Sequence, residues 1–226
     1  AEMIDQLANR LYTNVGYIDY DYLILAMGAD TNYFGLENIE KYSTPMKTVS
    51  EALFIRNKII SNYETAINIG EEKERKPIMN VVIVGGGPTG VELAGAVAEL
   101  RNNVFPKDYP ELNFKNMKVV LIEAGTHLLS SMSEPSKTKA RIYLENLGVI
   151  VMTDTQVLDY DGNKVDLKGK DSIETKTLLW AAGIKPNHIE GIKEDQTLAN
   201  SLVQRHACLH PLPFGGCMRE VAVHDC

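Results

Sequence analysis

The segment Asn80-Val-Val-Ile-Val-Gly-Gly-Gly-Pro-Thr-Gly-Val-Glu-Leu-Ala-Gly95 joins an apolar run, a glycine-rich turn and a run of small residues. Its four apolar residues at 81–84 predict a buried strand, and the small residues after the turn predict a helix. Gly85, Gly87 and Gly90 form the pattern G-x-G-x-x-G. That pattern is weak evidence by itself and much stronger between a strand and a helix. The sequence therefore predicts a dinucleotide-binding turn.

Each glycine of this pattern meets a separate physical requirement. Gly85 permits the tight turn out of the strand, Gly87 lets a pyrophosphate approach the backbone, and Gly90 lets the helix pack closely on the strand. The N-terminus of the helix then offers unpaired N–H groups and a positive dipole end to the phosphates. The other members of the predicted site in this turn are Gly86, Pro88 and Thr89.

Composition describes an ordinary globular protein. Hydrophobic residues make up 44% of the 226 residues and charged residues 23%, which is enough apolar material to form a core. The net charge of −7 argues against nucleic acid as a partner, because phosphate binding needs a basic face. No apolar run approaches the roughly 20 residues of a membrane-spanning helix, and the first residues lack the features of a signal peptide. We therefore expect a cytoplasmic protein.

An acidic residue ends the next predicted strand, Met117–Glu123. The carboxylate of Glu123 is placed to accept hydrogen bonds from an adenine-ribose diol and to repel a 2′-phosphate. Its distance along the chain from Gly90 exceeds the usual separation of about 20 residues, so residues 102–116 are interpreted as an insertion. The alternative is that Glu123 is an ordinary solvated carboxylate at the end of a strand.

Further patterns predict the elements around this unit. Thr48 and Glu51 form a capping box that opens an amphipathic helix ending near Gly70, and the charged run 71–76 is interpreted as a solvated linker that Pro77 ends. Downstream, a helix starting near Ser133, a hairpin around Asp161–Gly162 and a buried strand at 177–183 follow. The order predicts an α/β fold with a Rossmann-like, doubly wound parallel sheet and a small antiparallel β insert.

Upstream, the run Tyr17-Ile-Asp-Tyr-Asp-Tyr-Leu-Ile-Leu-Ala-Met-Gly28 first alternates and then becomes continuously apolar. This pattern predicts a strand that enters a buried sheet and leaves through a turn at Gly28.

Five motifs together resemble one family. They are Tyr20-Asp-Tyr-Leu-Ile-Leu-Ala-Met-Gly28, Val84-Gly-Gly-Gly-Pro-Thr-Gly-Val-Glu-Leu-Ala-Gly95, Pro106-Lys-Asp-Tyr-Pro110, Leu121-Ile-Glu-Ala-Gly125 and Leu179-Trp-Ala-Ala-Gly-Ile-Lys-Pro-Asn187. In this order they resemble the flavin-dependent pyridine-nucleotide oxidoreductases, and in detail the type II NADH:quinone oxidoreductases of the respiratory chain. The resemblance implies NADH and FAD as cofactors, a quinone as electron acceptor, peripheral association of the full-length protein with the inner face of the membrane, and a homodimer.

The resemblance also implies roles for particular residues. The glycine turn, Glu123 and Ala124 would bind NADH, and Ala182 and Gly183 would let the nicotinamide ribose approach the end of a strand. Glu92 would lie near the path of the hydride, whereas the alternative is a surface carboxylate that interacts with the helix dipole. Gly28 would belong to the turn where the FAD domain passes the nucleotide domain.

The sequence departs from the family in what surrounds these motifs. A flavin-binding G-x-G-x-x-G is expected before residue 17 and is not in this sequence, so the chain is interpreted as an internal fragment. We expect a partial FAD-domain edge and connecting helix over residues 1–76, an NADH-binding Rossmann domain over 77–190, and an atypical tail over 191–226. Two alternatives remain for its function: a dinucleotide-binding fragment without catalysis, and a related FAD-dependent disulfide reductase.

The tail admits two interpretations. One is a poorly ordered or non-native end, and the other is a zinc site. The second is weakened because the paired spacing C-x₂₋₄-C is absent, so we expect no metal. Its candidate ligands would be Cys208, His210, Cys217, His224 and Cys226.

Overall fold

The computed structural model describes residues 2–192. Their contacts group the chain into two units. The larger unit comprises residues 31–183, and the smaller unit is formed from residues before 31 and after 183. The division predicted from the sequence, at residues 76 and 190, stays a prediction.

The strands and helices of both units are numbered in chain order, and the two kinds of element alternate through most of the larger unit. The strands are β1 (Met3–Asp5), β2 (Arg10–Thr13), β3 (Gly16–Asp19), β4 (Ala29–Thr31), β5 (Thr44–Pro45), β6 (Val81–Val84), β7 (Val119–Ile122), β8 (Ile150–Met152), β9 (Val157–Tyr160), β10 (Lys164–Leu167), β11 (Lys170–Glu174), β12 (Thr177–Trp180) and β13 (Ile184–Pro186). The helices are α1 (Glu37–Tyr42), α2 (Val49–Ile67), α3 (Glu72–Met79), α4 (Pro88–Asn103), α5 (Phe105–Asp108) and α6 (Glu134–Asn146), with a 3-10 turn at Phe114–Asn116.

In the smaller unit, β1, β2 and β3 form an antiparallel sheet in that order. The outer strand β3 is exposed along its whole length. The predicted strand from Tyr17 to Gly28 is wrong beyond Asp19, because residues 20–28 are not assigned to a strand and Ile24 is 70% exposed. A strand needs a neighbour for its backbone hydrogen bonds, and no strand within residues 2–192 pairs with this run.

A five-stranded parallel sheet forms the centre of the larger unit, in the order β5-β12-β6-β7-β8. Strands β6, β7 and β12 are buried at every position. The chain leaves β6 through α4 to reach β7 on one side, while β12 lies on the other side. Ligands of open α/β sheets bind where the strand order reverses in this way, at the carboxyl ends of the strands. The predicted Rossmann-like fold is confirmed.

The two faces of this sheet are covered differently. Helices α2, α4 and α6 pack on the face that carries Val81 and Ile83. Helix α1 and an antiparallel sheet in the order β11-β10-β9 pack on the face that carries Val82 and Val84. The predicted antiparallel insert, with its turn at Asp161–Gly162, is therefore confirmed as the second covering layer.

The interpretation of residues 71–76 as a linker is wrong, since residues 72–76 form most of α3 and Pro77 lies within the same helix. Two contacts explain the difference. Arg75 Nε donates to the Ile69 carbonyl at 2.6 Å, and Asn116 donates to the Glu72 carboxylate. Glu, Lys and Arg are also good helix formers, so packing and propensity together outweigh the proline.

Helix α4 is fixed at its far end by Arg101. The guanidinium Nη2 donates to the Leu147 carbonyl at 2.5 Å, and Nη1 donates to the Gly148 carbonyl at 3.1 Å. Carbonyls at the C-terminus of a helix have no partner within the helix, so Arg101 satisfies those of α6. Gly148 follows α6 in the left-handed conformation, with φ of +80°.

Candidate functional site: a glycine turn at the carboxyl edge of the sheet

The N-terminus of α4 is open to an anion. Gly87 is the N-cap residue, and no side chain caps the first turn. Pro88 occupies the first helical position, where its missing N–H removes a donor that would be unpaired anyway. Pro88 and Thr89 are exposed. The remaining first-turn N–H groups and the positive end of the dipole are therefore available to a phosphate.

Helix α2 begins at the same edge of the sheet and shows the opposite arrangement. Thr48 Oγ1 accepts from the Glu51 N–H at 3.2 Å, and the Glu51 carboxylate accepts from the Thr48 N–H at 2.7 Å. This is the predicted capping box, in which the helix N-terminus is satisfied by its own side chains. Helix α4 shares the lack of a side-chain cap with α1, α3, α5 and α6, but it is the helix that follows the glycine turn directly.

Two glycines of the turn are required by close packing. A Cβ at Gly85 would lie 2.4 Å from the Ala181 carbonyl oxygen, and its φ of +114° disfavours other residues. A Cβ at Gly90 would lie 1.8 Å from the Gly85 carbonyl oxygen. The predicted roles of Gly85 in the turn and Gly90 in close packing follow from these distances.

Gly87 is different, because a Cβ there would meet no atom within 4 Å. Packing against the described residues does not require glycine at this position. The open space lies directly at the uncapped start of α4, where a side chain would stand between a ligand and the backbone. Glycine at this position leaves the backbone accessible, as it does in the pyrophosphate-binding turns of dinucleotide-binding folds.

Glu123 follows β7 and binds the turn directly. Its Oε2 accepts from the Gly86 N–H at 2.5 Å, and its Oε1 accepts from the Gly125 N–H at 2.7 Å. The side chain is half-buried, and Ala124 beside it is exposed. A carboxylate has about four lone-pair sites, so each oxygen can still accept a hydrogen bond from a ribose hydroxyl. Glu123 is thus an acceptor held in place beside the turn.

The loop after β7 also binds the carbonyl group of Gly86. Leu129 N–H donates to the Gly86 carbonyl at 2.8 Å, and Leu129 has a φ of +51°. A Cβ at Gly86 would lie 2.7 Å from Leu128 Cδ2 and 2.9 Å from Glu123 Cβ. Gly125, Leu128 and Leu129 were not predicted as part of the site. Only the position of Gly125 directly after Glu-Ala offered a signal.

The strand β12 borders the turn on its other side. Ala181 N–H donates to the Val84 carbonyl at 2.8 Å, and Gly85 lies against Ala181 and Ala182. Gly183 follows, and its carbonyl accepts from the Asn32 N–H at 3.0 Å. Glu123, the glycine turn, Ala182 and Gly183 therefore follow one another along the carboxyl edge of the parallel sheet.

Two predicted residues lie apart from these contacts. Glu92 is an exposed residue of α4, just beyond its first turn. Gly28 belongs to the smaller unit, where its φ of +67° suits a turn and its carbonyl accepts from the Asn187 N–H at 3.3 Å. Their predicted roles stay predictions.

Within residues 2–192, no group of three or more His, Cys, Asp and Glu side chains is placed to hold a metal ion. The candidate zinc ligands between Cys208 and Cys226 lie outside the described residues. None of the helices in the described part of the chain is long and apolar enough to span a membrane.

A family model described as pyridine nucleotide-disulphide oxidoreductase matches residues 5–201. The chain belongs to this family. Curated proteins similar to the chain include type II NADH:quinone oxidoreductases. The resemblance that the five motifs indicated is therefore confirmed.

Two curated relatives illustrate this. The type II NADH:quinone oxidoreductase Ndh of Mycobacterium tuberculosis is 31% identical over 174 residues, covering 75% of this chain and 38% of the relative. The mitochondrial external alternative NAD(P)H-ubiquinone oxidoreductase B3 of Arabidopsis thaliana is 32% identical over 173 residues, covering 74% and 30%. The chain thus spans about a third of the length of these relatives.

Among solved structures, NDH2 of Plasmodium falciparum in complex with NADH matches with a TM-score of 0.69 and 30% identity, covering 81% of this chain and 38% of that one. Putidaredoxin reductase, in its covalent complex with putidaredoxin, matches with a TM-score of 0.58 at 18% identity, which supports the fold alone.

Proposed function

We propose that this chain is the NADH-binding part of a flavin-dependent NADH dehydrogenase that passes hydride from NADH to FAD and electrons on to a quinone. The observation that carries the proposal is the pairing of an uncapped helix N-terminus at Gly87 with the fixed carboxylate of Glu123. The names of the relatives and the NADH-bound neighbour support the same ligand.

In this proposal each part of the edge binds one part of NADH. The turn at residues 85–90 and the start of α4 bind the pyrophosphate, and the Glu123 carboxylate accepts from the adenine-ribose diol while Ala124 borders it. Ala182 and Gly183 border the nicotinamide ribose. Glu92 lies close to the nicotinamide and influences the hydride step. Gly28 shapes the turn that leads from the flavin-binding part.

FAD belongs to the proposal for the complete enzyme only. The sequence contains a single G-x-G-x-x-G, at residues 85–90, and this turn is assigned to NADH. The residues of this chain therefore do not make up an FAD site by themselves. When bound by the complete enzyme, FAD supplies the acceptor of the two electrons. The contribution of this chain is to bind and orient the nucleotide.

Further expectations rest on the resemblance. They are electron transfer to a quinone in a respiratory chain, peripheral association with the inner, cytoplasmic face of a membrane, and assembly as a homodimer. Co-sedimentation of the full-length protein with anionic lipid vesicles tests the association. Absence of the protein from the vesicle pellet would remove that part of the proposal.

The nucleotide assignment is tested by titrating the chain with NADH and NADPH in a calorimeter. We expect tighter binding of NADH, since Glu123 repels a 2′-phosphate. Glu123→Ala should weaken NADH binding by about tenfold or more, as expected for lost hydrogen bonds to a charged group. It should also reduce the preference for NADH over NADPH. Glu145→Ala, an exposed carboxylate of α6, is the control. Equal affinity of the unaltered chain for both nucleotides would contradict the assignment.

A second candidate function is dinucleotide binding without catalysis, which the single glycine turn of this sequence favours. Visible flavin absorbance that bleaches with NADH supports the first function, and NADH binding to a colourless protein supports the second. The disulfide reductase alternative needs a cysteine pair beside the flavin, upstream of residue 17, and the closer resemblance of the five motifs to the NADH dehydrogenases is what weighs against it.

A further inference from the structure

Phe34 is an exposed aromatic residue in an unfavourable backbone conformation. Its side chain is 61% exposed, and its φ is +52°. A bulky residue in the left-handed region is uncommon, and such conformations persist only where the surroundings fix them. An Asx turn contributes, because the Phe34 N–H donates to Asn32 Oδ1 at 2.9 Å. Strained residues of this kind cluster at ligand sites.

Trp180 holds the segment that carries Phe34 against the end of β12. The indole Nε1 donates to the Asn32 carbonyl at 2.9 Å, and Trp180 is 3% exposed. The ring of Tyr33 stacks on the indole with centroids 6.1 Å apart, and the ring of Phe34 meets it edge-on at 6.5 Å. Together with the bond from Asn32 to Gly183, these contacts fix the position of the Phe34 ring.

The ring lies over Gly183. A Cβ at Gly183 would lie only 2.9 Å from Phe34 Cζ, so the aromatic ring takes the space that a side chain at this position would fill. Gly183 is two residues beyond Ala181, which abuts Gly85 of the turn. The ring therefore stands at the end of the edge opposite to Glu123, with the glycine turn between them.

We propose that Phe34 forms the wall against which the nicotinamide end of the dinucleotide packs. The proposal rests on the proposed function, in which Glu123 binds the adenosine end and Gly183 borders the nicotinamide ribose. A dinucleotide that starts at Glu123 and crosses the turn reaches Gly183 with its second ring, and the next side chain it meets is Phe34. An exposed aromatic face in a fixed position binds a flat heterocycle through apolar contact and ring stacking.

The test compares NADH with ADP-ribose, which has the adenosine end and the pyrophosphate but no nicotinamide ring. Phe34→Asn removes the ring and keeps a residue that tolerates the left-handed conformation, so the fold is retained. We expect the Kd for NADH to rise by roughly three- to tenfold, the size of an aromatic contact, while the Kd for ADP-ribose stays unchanged. Phe34→Tyr should retain the affinity for NADH. Phe54→Asn is the control, since Phe54 is similarly exposed at 58% on α2.

The alternatives give different results. Equal weakening of NADH and ADP-ribose by Phe34→Asn would reduce Phe34 to a structural role, and unchanged affinity for both would remove it from the site. Equal affinity of the unaltered chain for ADP-ribose and NADH would mean that the nicotinamide ring adds nothing to binding. That result would contradict the role of Phe34 and would leave the proposed dinucleotide site unaffected. Failure of the unaltered chain to bind either ligand would overturn the proposed function together with this inference.

Discussion

At Gly86 a single residue couples two distant parts of the chain. Its N–H donates to the Glu123 carboxylate, and its carbonyl accepts from the Leu129 N–H. The loop after β7 therefore holds both backbone polar groups of Gly86. Because a Cβ at Gly86 would lie 2.9 Å from Glu123 Cβ, glycine here also keeps the carboxylate beside the turn. The proposed preference for NADH therefore depends on a residue that need not touch the nucleotide.

Glu92 gives a prediction at the same scale. In the intact enzyme, Glu92→Gln removes a charge near the proposed path of the hydride. It should slow reduction of the flavin by NADH about tenfold, equivalent to about 1.4 kcal/mol in the barrier, with little change in Kd. Stopped-flow absorbance measures both quantities. Glu99→Gln, further along α4 and bonded to Tyr143, serves for comparison. An unaltered reduction rate would leave Glu92 as a surface partner of the helix dipole.

At the scale of elements, local patterns predicted what local contacts determine. The strand, turn and helix from Val81 to Asn103 and the capping box of α2 needed only neighbouring residues. The bond from Gly86 to Glu123 joins residues 37 positions apart, and the ring of Phe34 reaches Gly183 from still further. Such contacts depend on how strands are arranged, which periodicity does not encode. For α3, contacts outweighed the local rule for Pro77.

The hairpin between β9 and β10 gives a prediction in pH. Asp161 Oδ1 accepts from the N–H groups of Asn163 and Lys164, both at 2.8 Å. These backbone bonds lower the pKa of Asp161 below its ordinary value of 3.8. Because folding lowers the pKa, the Asp161 carboxylate stabilises the folded chain at pH values above 3.8. This contribution is lost as the pH falls through the lowered pKa.

Asp161→Ala should therefore lower the Tm at neutral pH, and the difference from the unaltered chain should shrink as the pH falls below 3.8. Thermal unfolding followed by circular dichroism at several pH values measures this. Asp161→Asn keeps one acceptor oxygen without the titratable charge, so its effect should depend less on pH. A Tm difference for Asp161→Ala that is constant across the pH series would refute the explanation.

At the scale of the whole molecule, the chain spans 38% of the length of Ndh and leaves apolar surface on its smaller unit. Leu7 is fully exposed, Val15 is 89% exposed and Ile24 is 70% exposed. The run from residue 20 to 28 has the composition of a buried strand without a neighbouring strand in the described chain. An exposed apolar run without a pairing strand is a site for pairing with another chain, so we expect the isolated chain to self-associate.

Ile24→Lys should reduce that self-association, because a charge on an unpaired apolar run opposes pairing with another chain. Light scattering and the fluorescence of a hydrophobic dye measure the change. Leu158→Lys, at a 46% exposed position of β9 in the larger unit, is the matched control. If both substitutions had the same effect, general charge and not the run at residues 20–28 would explain the result.

Arg101 has a consequence for the rate of the proposed nucleotide binding. Its two hydrogen bonds to the end of α6 anchor α4 at the end opposite to Gly87, and bonds from a charged donor are among the stronger ones. These bonds oppose a displacement of the far end of α4 relative to α6. If the N-terminus of α4 binds the pyrophosphate as proposed, an anchored helix needs little rearrangement, and partners that need no rearrangement associate at rates set by diffusion and orientation. Capture should follow one kinetic phase that scales with nucleotide concentration, without a slow closing step.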